Sequence, residues 1–182
     1  MTTPKDILSF WFANLNDEMV IDRKQNPARQ WFAKDAAFDL LIKDRFEADI
    51  VAADCGDYQD WGNAEGTLAQ IILFDQFPRN IYRNSPQAFA FDTKALKLTQ
   101  EGQAKRLDQQ LPLIYRTFFY MPLMHAEDIG LQRKSVEVFT ALVEESKTKC
   151  PQNTGYYRYT LGFAQEHCQT IERLGRFPHR AR

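Results

Sequence analysis

The sequence predicts an all-α fold with about seven helices in one domain, 1–182, and three observations favour it. Glycine and proline number only 8 each in 182 residues, together below the ~12% that is usual, so turns are few. Apolar residues recur at helical spacing along most of the chain. The length suits one domain of ordinary size. Two short apolar runs, 71–74 and 118–120, are the places where a strand could instead form.

The first predicted helix begins with Thr3 as N-cap and Pro4 at the first helical position, and it fades by Asn14. A polar loop, 14–27, follows and ends in Asn-Pro. The second helix is predicted from about Ala28 to Ala53, because its apolar residues keep helical spacing throughout. A Cys-Gly-Asp turn ends it.

The third predicted helix runs from about Asn63 to Phe77. We expect Pro78 to stop it, since proline disfavours helix at the residue before it. A loop over 79–91 leads to a fourth helix, which Asp92 caps and which extends to about Leu107.

The fifth predicted helix spans Leu113 to about Tyr120 and is interrupted near Pro122. The sixth runs from about Glu127 to Lys149. The seventh runs from about Tyr156 to Leu174, where Gly175 ends it.

The charge of the chain shows none of the usual signs of a nucleic-acid or membrane protein, since the formal net charge is only −1. The first half is acidic and the second half basic, and four arginines (Arg173, Arg176, Arg180 and Arg182) follow Glu172 without an acid. Either the two halves pack together and the tail is solvated, or the tail forms an anion site.

The compartment predicted from the sequence is the cytoplasm. Three cysteines without paired spacing fit a reducing environment better than a disulfide framework. The N-terminus lacks the basic region of a signal peptide. The longest apolar run, Phe118 to Met124, is far shorter than a membrane span.

Asp75 is the first polar residue in an unexpected place. It follows Ile71 and Ile72 on the apolar stripe of its predicted helix, in the last turn, where the helix dipole disfavours a carboxylate. We therefore expect a cationic partner, either Arg79 or Arg83. Asp75 is then either one half of a buried structural pair or an acid or base at a pocket floor.

Two histidines also stand out. His167 lies on one helical stripe with Phe163 and Ile171, so it faces the core, either as a satisfied core residue or as a site residue. His125 lies at a loop-to-helix junction just before Glu127 and Asp128. These acids serve either the helix dipole or proton transfer with His125.

The sequence predicts no cofactor and no metal. It contains no phosphate-binding glycine loop, no nucleophile elbow and no dinucleotide fingerprint. The three histidines have no metal-binding helical spacing, although a histidine and carboxylate site assembled in space stays open.

Five blocks of residues occur in order along nearly the whole chain: 10–12, 31–32, 75–80, 119–128 and 175–180. Together they resemble the bacterial family called domain of unknown function 924. The resemblance implies a tetratricopeptide-like helical fold and no established activity. Relatives usually have Ser at Ala126 and Asn at Ala181, and they extend beyond Arg182, so we expect this chain to lack a C-terminal segment.

The polar residues that match lie near predicted helix ends, as expected of one concave site. His167 joins them from the helical pattern alone. The candidate binding residues are Asp75, Arg79, Asn80, Tyr120, His125, Glu127, Asp128, His167, Arg176, His179 and Arg180.

Two functions remain open. The first is a tetratricopeptide-like module that binds a peptide or a small anionic ligand, with basic residues around Pro178 forming the anion site. The alternative is a small metal-independent, hydrolase-like enzyme. In that enzyme His125 or His167 is the general base, Asp75 or Asp128 orients it, and arginines hold an anionic substrate. A nucleic-acid partner is not expected, and no oligomeric state is predicted.

Overall fold

The structure, a computed structural model, describes residues 2–180, and within this range the chain is helical without a β-strand. The predicted all-α fold is therefore confirmed. Short 3₁₀ turns join several of the helices. The helices are α1 Pro4–Phe12, α2 Ala28–Phe32, α3 Ala36–Cys55, α4 Ala64–Ile71, α5 Phe77–Ile81, α6 Asp92–Ala104, α7 Leu113–Met124, α8 Ile129–Lys149 and α9 Thr154–Leu174.

The core is rich in aromatic side chains and is built around α1 and α7. Trp11 and Phe12 of α1 are almost fully buried and contact the ring of Phe118 in α7. Trp31 packs on the same ring and donates its indole N–H to the carbonyl of Trp11 at 2.8 Å. Because α7 is buried around nearly its whole circumference, it forms the central helix. No helix of residues 2–180 is long and apolar enough to cross a membrane.

Two of the helix ends predicted from capping chemistry, at Thr3 and Gly175, are confirmed. The Thr3 side chain accepts a hydrogen bond from the Asp6 amide, and Asp6 reaches back to the Thr3 amide, which completes a capping box. Gly175 ends α9 with a φ of 66°, a left-handed conformation that glycine adopts without strain.

The single second helix predicted over Ala28–Ala53 is wrong. The chain is extended at Ala33, and α3 starts anew after Asp35, whose carboxylate accepts hydrogen bonds from the amides of Ala37 and Phe38. Aspartate competes well for free amides at a helix start, which favours a break there over a continuous helix.

The predicted stop before Pro78 is also wrong. A π-helical turn, Ile72–Gln76, follows α4, and α5 then continues to Ile81. In this wider turn the Phe77 amide bonds to the carbonyl of Ile72. Pro78 thus lies in the first turn of α5, where its missing N–H costs little.

Three further boundaries differ from the prediction. The helix predicted to be interrupted near Pro122 runs through it to Met124, because packing on all sides of α7 outweighs the lost hydrogen bond. The sixth predicted helix begins at Ile129, with Asp128 as its N-cap, so Glu127 lies outside it. The fourth ends at Ala104, short of Leu107.

Candidate functional site

The buried carboxylate of Asp75 is the centre of the site. Its Oδ1 lies 2.7 Å from His125 Nδ1 and 3.2 Å from Arg79 Nη1, and its Oδ2 accepts from Gln76 Nε2 at 2.6 Å. Burial raises the pKa of Asp75, but the charges of Arg79 and His125 and the hydrogen bonds outweigh it and lower the pKa to about 2. The predicted pair with Arg79 is present, and the expected alternative, Arg83, pairs elsewhere.

The π turn places Asp75 in this position. The carbonyl oxygen of Asp75 accepts a 2.7 Å hydrogen bond from Arg79 Nη1, so one guanidinium holds both the backbone and the side chain of Asp75. Such turns occur often at functional sites. The sequence did not predict the π turn. It showed only an acid on an apolar stripe, Asp75, followed by a proline about one turn later.

Arg79 also connects the π turn to the C-terminal residues. Its guanidinium donates to both carboxylate oxygens of Asp92, at 2.8 and 3.0 Å. Arg180 lies 3.0 Å from the same carboxylate and donates to the carbonyl of His125 at 2.9 Å. Asp92 was predicted as a helix cap. Its side chain caps nothing and Phe91 is the N-cap residue, because two arginines occupy the carboxylate.

Hydrogen bonds hold the turn after α9 beside His125 and Glu127. The Phe177 amide donates to Glu127 Oε1 at 2.7 Å, and the Phe177 ring is buried. That ring lies 5.2 Å from the imidazole of His167 and 5.6 Å from that of His179. The C-terminal turn, 175–180, therefore closes one side of the site.

His167 is half-buried, 6.3 Å from His125 between ring centroids. Burial, followed by the charge of His125, lowers the pKa of His167 to about 4. The imidazole is therefore neutral at pH 7. Its Nδ1–H donates to the carbonyl of Phe163 at 2.8 Å, which leaves Nε2 as an acceptor.

Three adjoining cavities form a cleft around these residues. A basic cavity of about 910 Å³ shares Arg79 and Arg83 with a narrow cavity of about 200 Å³. The narrow cavity shares Phe32, Met121 and His125 with an apolar cavity of about 300 Å³. Volumes of this order are typical of small-molecule sites.

Two residues that the sequence did not assign to the site, Lys34 and Arg83, complete the cleft walls. Lys34 lies in the break between α2 and α3, and Arg83 follows α5. Arg83 makes two 2.7 Å contacts with Asp39, which also accepts from the predicted Asn80 at 2.8 Å. Neither Lys34 nor Asp39 carried a sequence signal, because only the folded chain brings α3 beside α5.

Three predicted residues have other positions or roles. Tyr120 is buried and donates to Asp108 at 2.5 Å, away from the cleft. Arg176 is exposed and lines none of the three cavities. Asp128 caps α8 and lines, with Glu127, a fourth cavity of about 250 Å³ that shares His125 and Arg180 with the cleft. Ala181 and Arg182 lie outside the described residues.

The described part of the chain contains no candidate metal site. No group of three His, Cys, Asp or Glu side chains in residues 2–180 lies close enough together to hold an ion. The site therefore offers a hydrogen-bonded Asp75–His125 pair, a neutral second imidazole and a basic wall.

Comparison with known proteins identifies the family of this chain. The family model described as "Bacterial protein of unknown function (DUF924)" matches residues 7–182. A solved structure of a protein of unknown function, ATU0120 from Agrobacterium tumefaciens, is 35% identical with a TM-score of 0.77, over 97% of this chain and 86% of that one. No curated protein sequence matches. The chain therefore belongs to the DUF924 family of bacterial proteins.

Proposed function

We propose that the cleft binds a small anionic ligand. One observation carries the proposal: within residues 2–180 the basic cavity is lined by five basic side chains and by no Asp or Glu. The five are Lys34, Arg79, Arg83, His179 and Arg180.

Several of these cations keep donors available despite their ion pairs. Lys34 makes no hydrogen bond or ion pair within residues 2–180, and Arg83 uses only Nε and Nη2 on Asp39. The Nε of Arg180 is buried and has no partner in the described structure. Guanidinium groups suit carboxylates and phosphates, which accept two parallel hydrogen bonds.

The electrostatics of the wall also favour an anion. Burial lowers the pKa of Arg180, and although Asp92 acts against this, the nearby charge of Arg79 lowers it further. The pKa of His179 is lowered by burial and then by the charges of Arg180 and Arg79. An anion can bind the donors that Asp92 and Asp39 leave free, so binding in the micromolar to millimolar range is expected from a few charge-assisted contacts.

Thermal-shift titration with inorganic phosphate and acetate tests the proposal. We expect both anions to raise the melting temperature of the wild type. Lys34→Ala should weaken binding roughly tenfold, since one charged contact is lost. Lys43→Ala removes an exposed lysine of α3 that lines none of these cavities and should respond as wild type.

Three results oppose the proposal. It is wrong if neither anion raises the melting temperature, or if Lys34→Ala and Lys43→Ala bind equally well. If Arg176→Ala removes the shift while Lys34→Ala keeps it, the anion binds beside the exposed Arg176 and not in the cleft.

A second candidate is a proton-transfer enzyme, and the 2.7 Å contact of Asp75 with His125 favours it. An ionised buried carboxylate accepts from Nδ1–H and fixes the tautomer, so Nε2 is left as the base. Nε2 makes no hydrogen bond within residues 2–180, and His125 borders the narrow and apolar cavities.

A screen of phosphate and carboxylate esters tests this candidate. We expect turnover that falls at least a hundredfold in His125→Asn, whose Nδ2 can replace Nδ1 in the contact with Asp75 while the base at Nε2 is removed. Lys43→Ala, at an exposed lysine that lines none of the cavities, should keep the turnover of the wild type. Equal turnover by wild type and His125→Asn contradicts the enzyme and leaves the binding proposal intact.

A further inference from the structure

The apolar cavity at one end of the cleft limits what the ligand can be. Phe32, Met121, Met124 and Phe163 supply most of its wall. Methionine side chains are flexible and polarisable, so they adapt to the shape of an apolar group. A fully ionic ligand gains nothing from such a wall, because it must leave water to enter.

The polar groups in this cavity are already satisfied or neutral. Thr160 donates its hydroxyl to the carbonyl of Tyr157 at 2.9 Å. His167 donates Nδ1–H to a backbone carbonyl and is neutral at pH 7. The apolar cavity is therefore suited to hydrocarbon, and His125 is the polar exception in its wall.

The apolar and basic walls come from one short segment. Phe32 lines the narrow and apolar cavities, and Lys34, two residues later, lines the basic cavity. Two extended residues span only about 7 Å, so both walls can contact one small molecule. The Phe32 ring is 41% exposed although it packs on Phe163, so an apolar group in the cleft can cover it.

We infer that the ligand is an amphiphile, a carboxylate or phosphate joined directly to a hydrocarbon group. The anion lies against Lys34 and Arg83, and the hydrocarbon fills the apolar cavity beside Phe32. This inference rests on the proposed anion site and names its class of ligand.

NMR titration with acetate, butyrate and hexanoate tests the inference, with hexanol as the neutral control. We expect the affinity to rise about threefold to fourfold per methylene, as apolar surface leaves water. Hexanol should bind at least tenfold more weakly than hexanoate. Titration with inorganic phosphate and hexyl phosphate compares the two head groups, and a gain from the alkyl chain on either one supports the amphiphile.

Two variants separate the walls of the cleft. Phe32→Ser should reduce the gain per methylene and leave the affinity for acetate unchanged. Leu41→Ser removes a leucine that is 50% exposed and lines none of the three cavities. This variant should keep both the gain in affinity per methylene and the affinity for acetate. Lys34→Ala should weaken every anion in the series by the same factor.

The outcomes distinguish this inference from the proposed function. If acetate and hexanoate bind equally and Phe32→Ser changes nothing, the amphiphile is wrong and the anion site stands. If hexanol binds as well as hexanoate, the anion adds nothing and the amphiphile is wrong as well. If phosphate, acetate and hexanoate all fail to bind, the proposed function itself is wrong.

Discussion

His125 Nδ1 lies 2.7 Å from Oδ1 of Asp75, although 50 residues separate the two in the chain. The contact joins the π turn to the end of α7, and Arg79 and Gln76 hold the same carboxylate. Since the Asp75 side chain is fully buried, its charge depends entirely on these neighbours.

Removal of the Asp75 carboxylate should therefore destabilise the protein strongly. Asp75→Ala leaves the largely buried Arg79 without one of its two carboxylates and is expected to lower the free energy of unfolding by about 2–5 kcal/mol. Urea denaturation measures the loss. Glu101→Ala breaks an exposed pair with Lys97 and should cost less than about 1 kcal/mol. A loss below about 0.5 kcal/mol for Asp75→Ala contradicts its structural role.

The stability should fall as the pH drops below neutral because of His167. Its pKa is about 4 in the folded chain against a usual 6.5, so between these values the unfolded state binds more protons. The stability that the neutral His167 provides is fully present above pH 6.5 and is lost as the pH falls towards 4. With allowance for its partial exposure, it amounts to roughly 1 kcal/mol.

Denaturation at pH 7.5 and pH 5 measures this effect. His167→Gln should flatten the pH dependence of stability, since glutamine does not titrate. His179→Gln replaces an imidazole that is more exposed than that of His167 and should alter the dependence less. An unchanged slope in His167→Gln means that another group causes the loss of stability.

Glu127 and Asp128 are neighbours with separate roles. Glu127→Ala removes the acceptor of the Phe177 amide, so hydrogen exchange of that amide should accelerate about tenfold or more. Asp128→Ala removes the cap of α8, which should expose the Leu131 amide and lower the free energy of unfolding by about 0.5–2 kcal/mol. If both variants protect Phe177 equally well, Glu127 does not hold the C-terminal turn.

Gly102 is required by the packing of α6 on α7. A Cβ at this position meets the ring of Phe119, so Gly102→Ala should destabilise by about 1–3 kcal/mol although alanine favours helices. Gly162 of α9 has open space around it, and Gly162→Ala should stabilise by about 0.5–1 kcal/mol. Guanidinium denaturation of both variants checks the contrast, and a stabilising Gly102→Ala contradicts the packing.

The sequence determined the properties that depend on neighbours within a turn or two. Helical periodicity specified the all-α fold, and capping chemistry specified the ends at Thr3 and Gly175. An acid on an apolar stripe led to the pairing of Asp75 with Arg79, because four residues along a helix bring side chains together.

Tertiary structure alone decided the rest. Segments far apart in the chain meet where Asp75 contacts His125 and where Asp92 pairs with Arg180. They also meet at the basic cavity, which Lys34 lines together with Arg180. Local propensity also gave way to packing. The π turn places Pro78 in the first turn of α5, where its missing N–H costs little. The helix α7 continues through Pro122 because the apolar surface that it buries outweighs the hydrogen bond that proline removes.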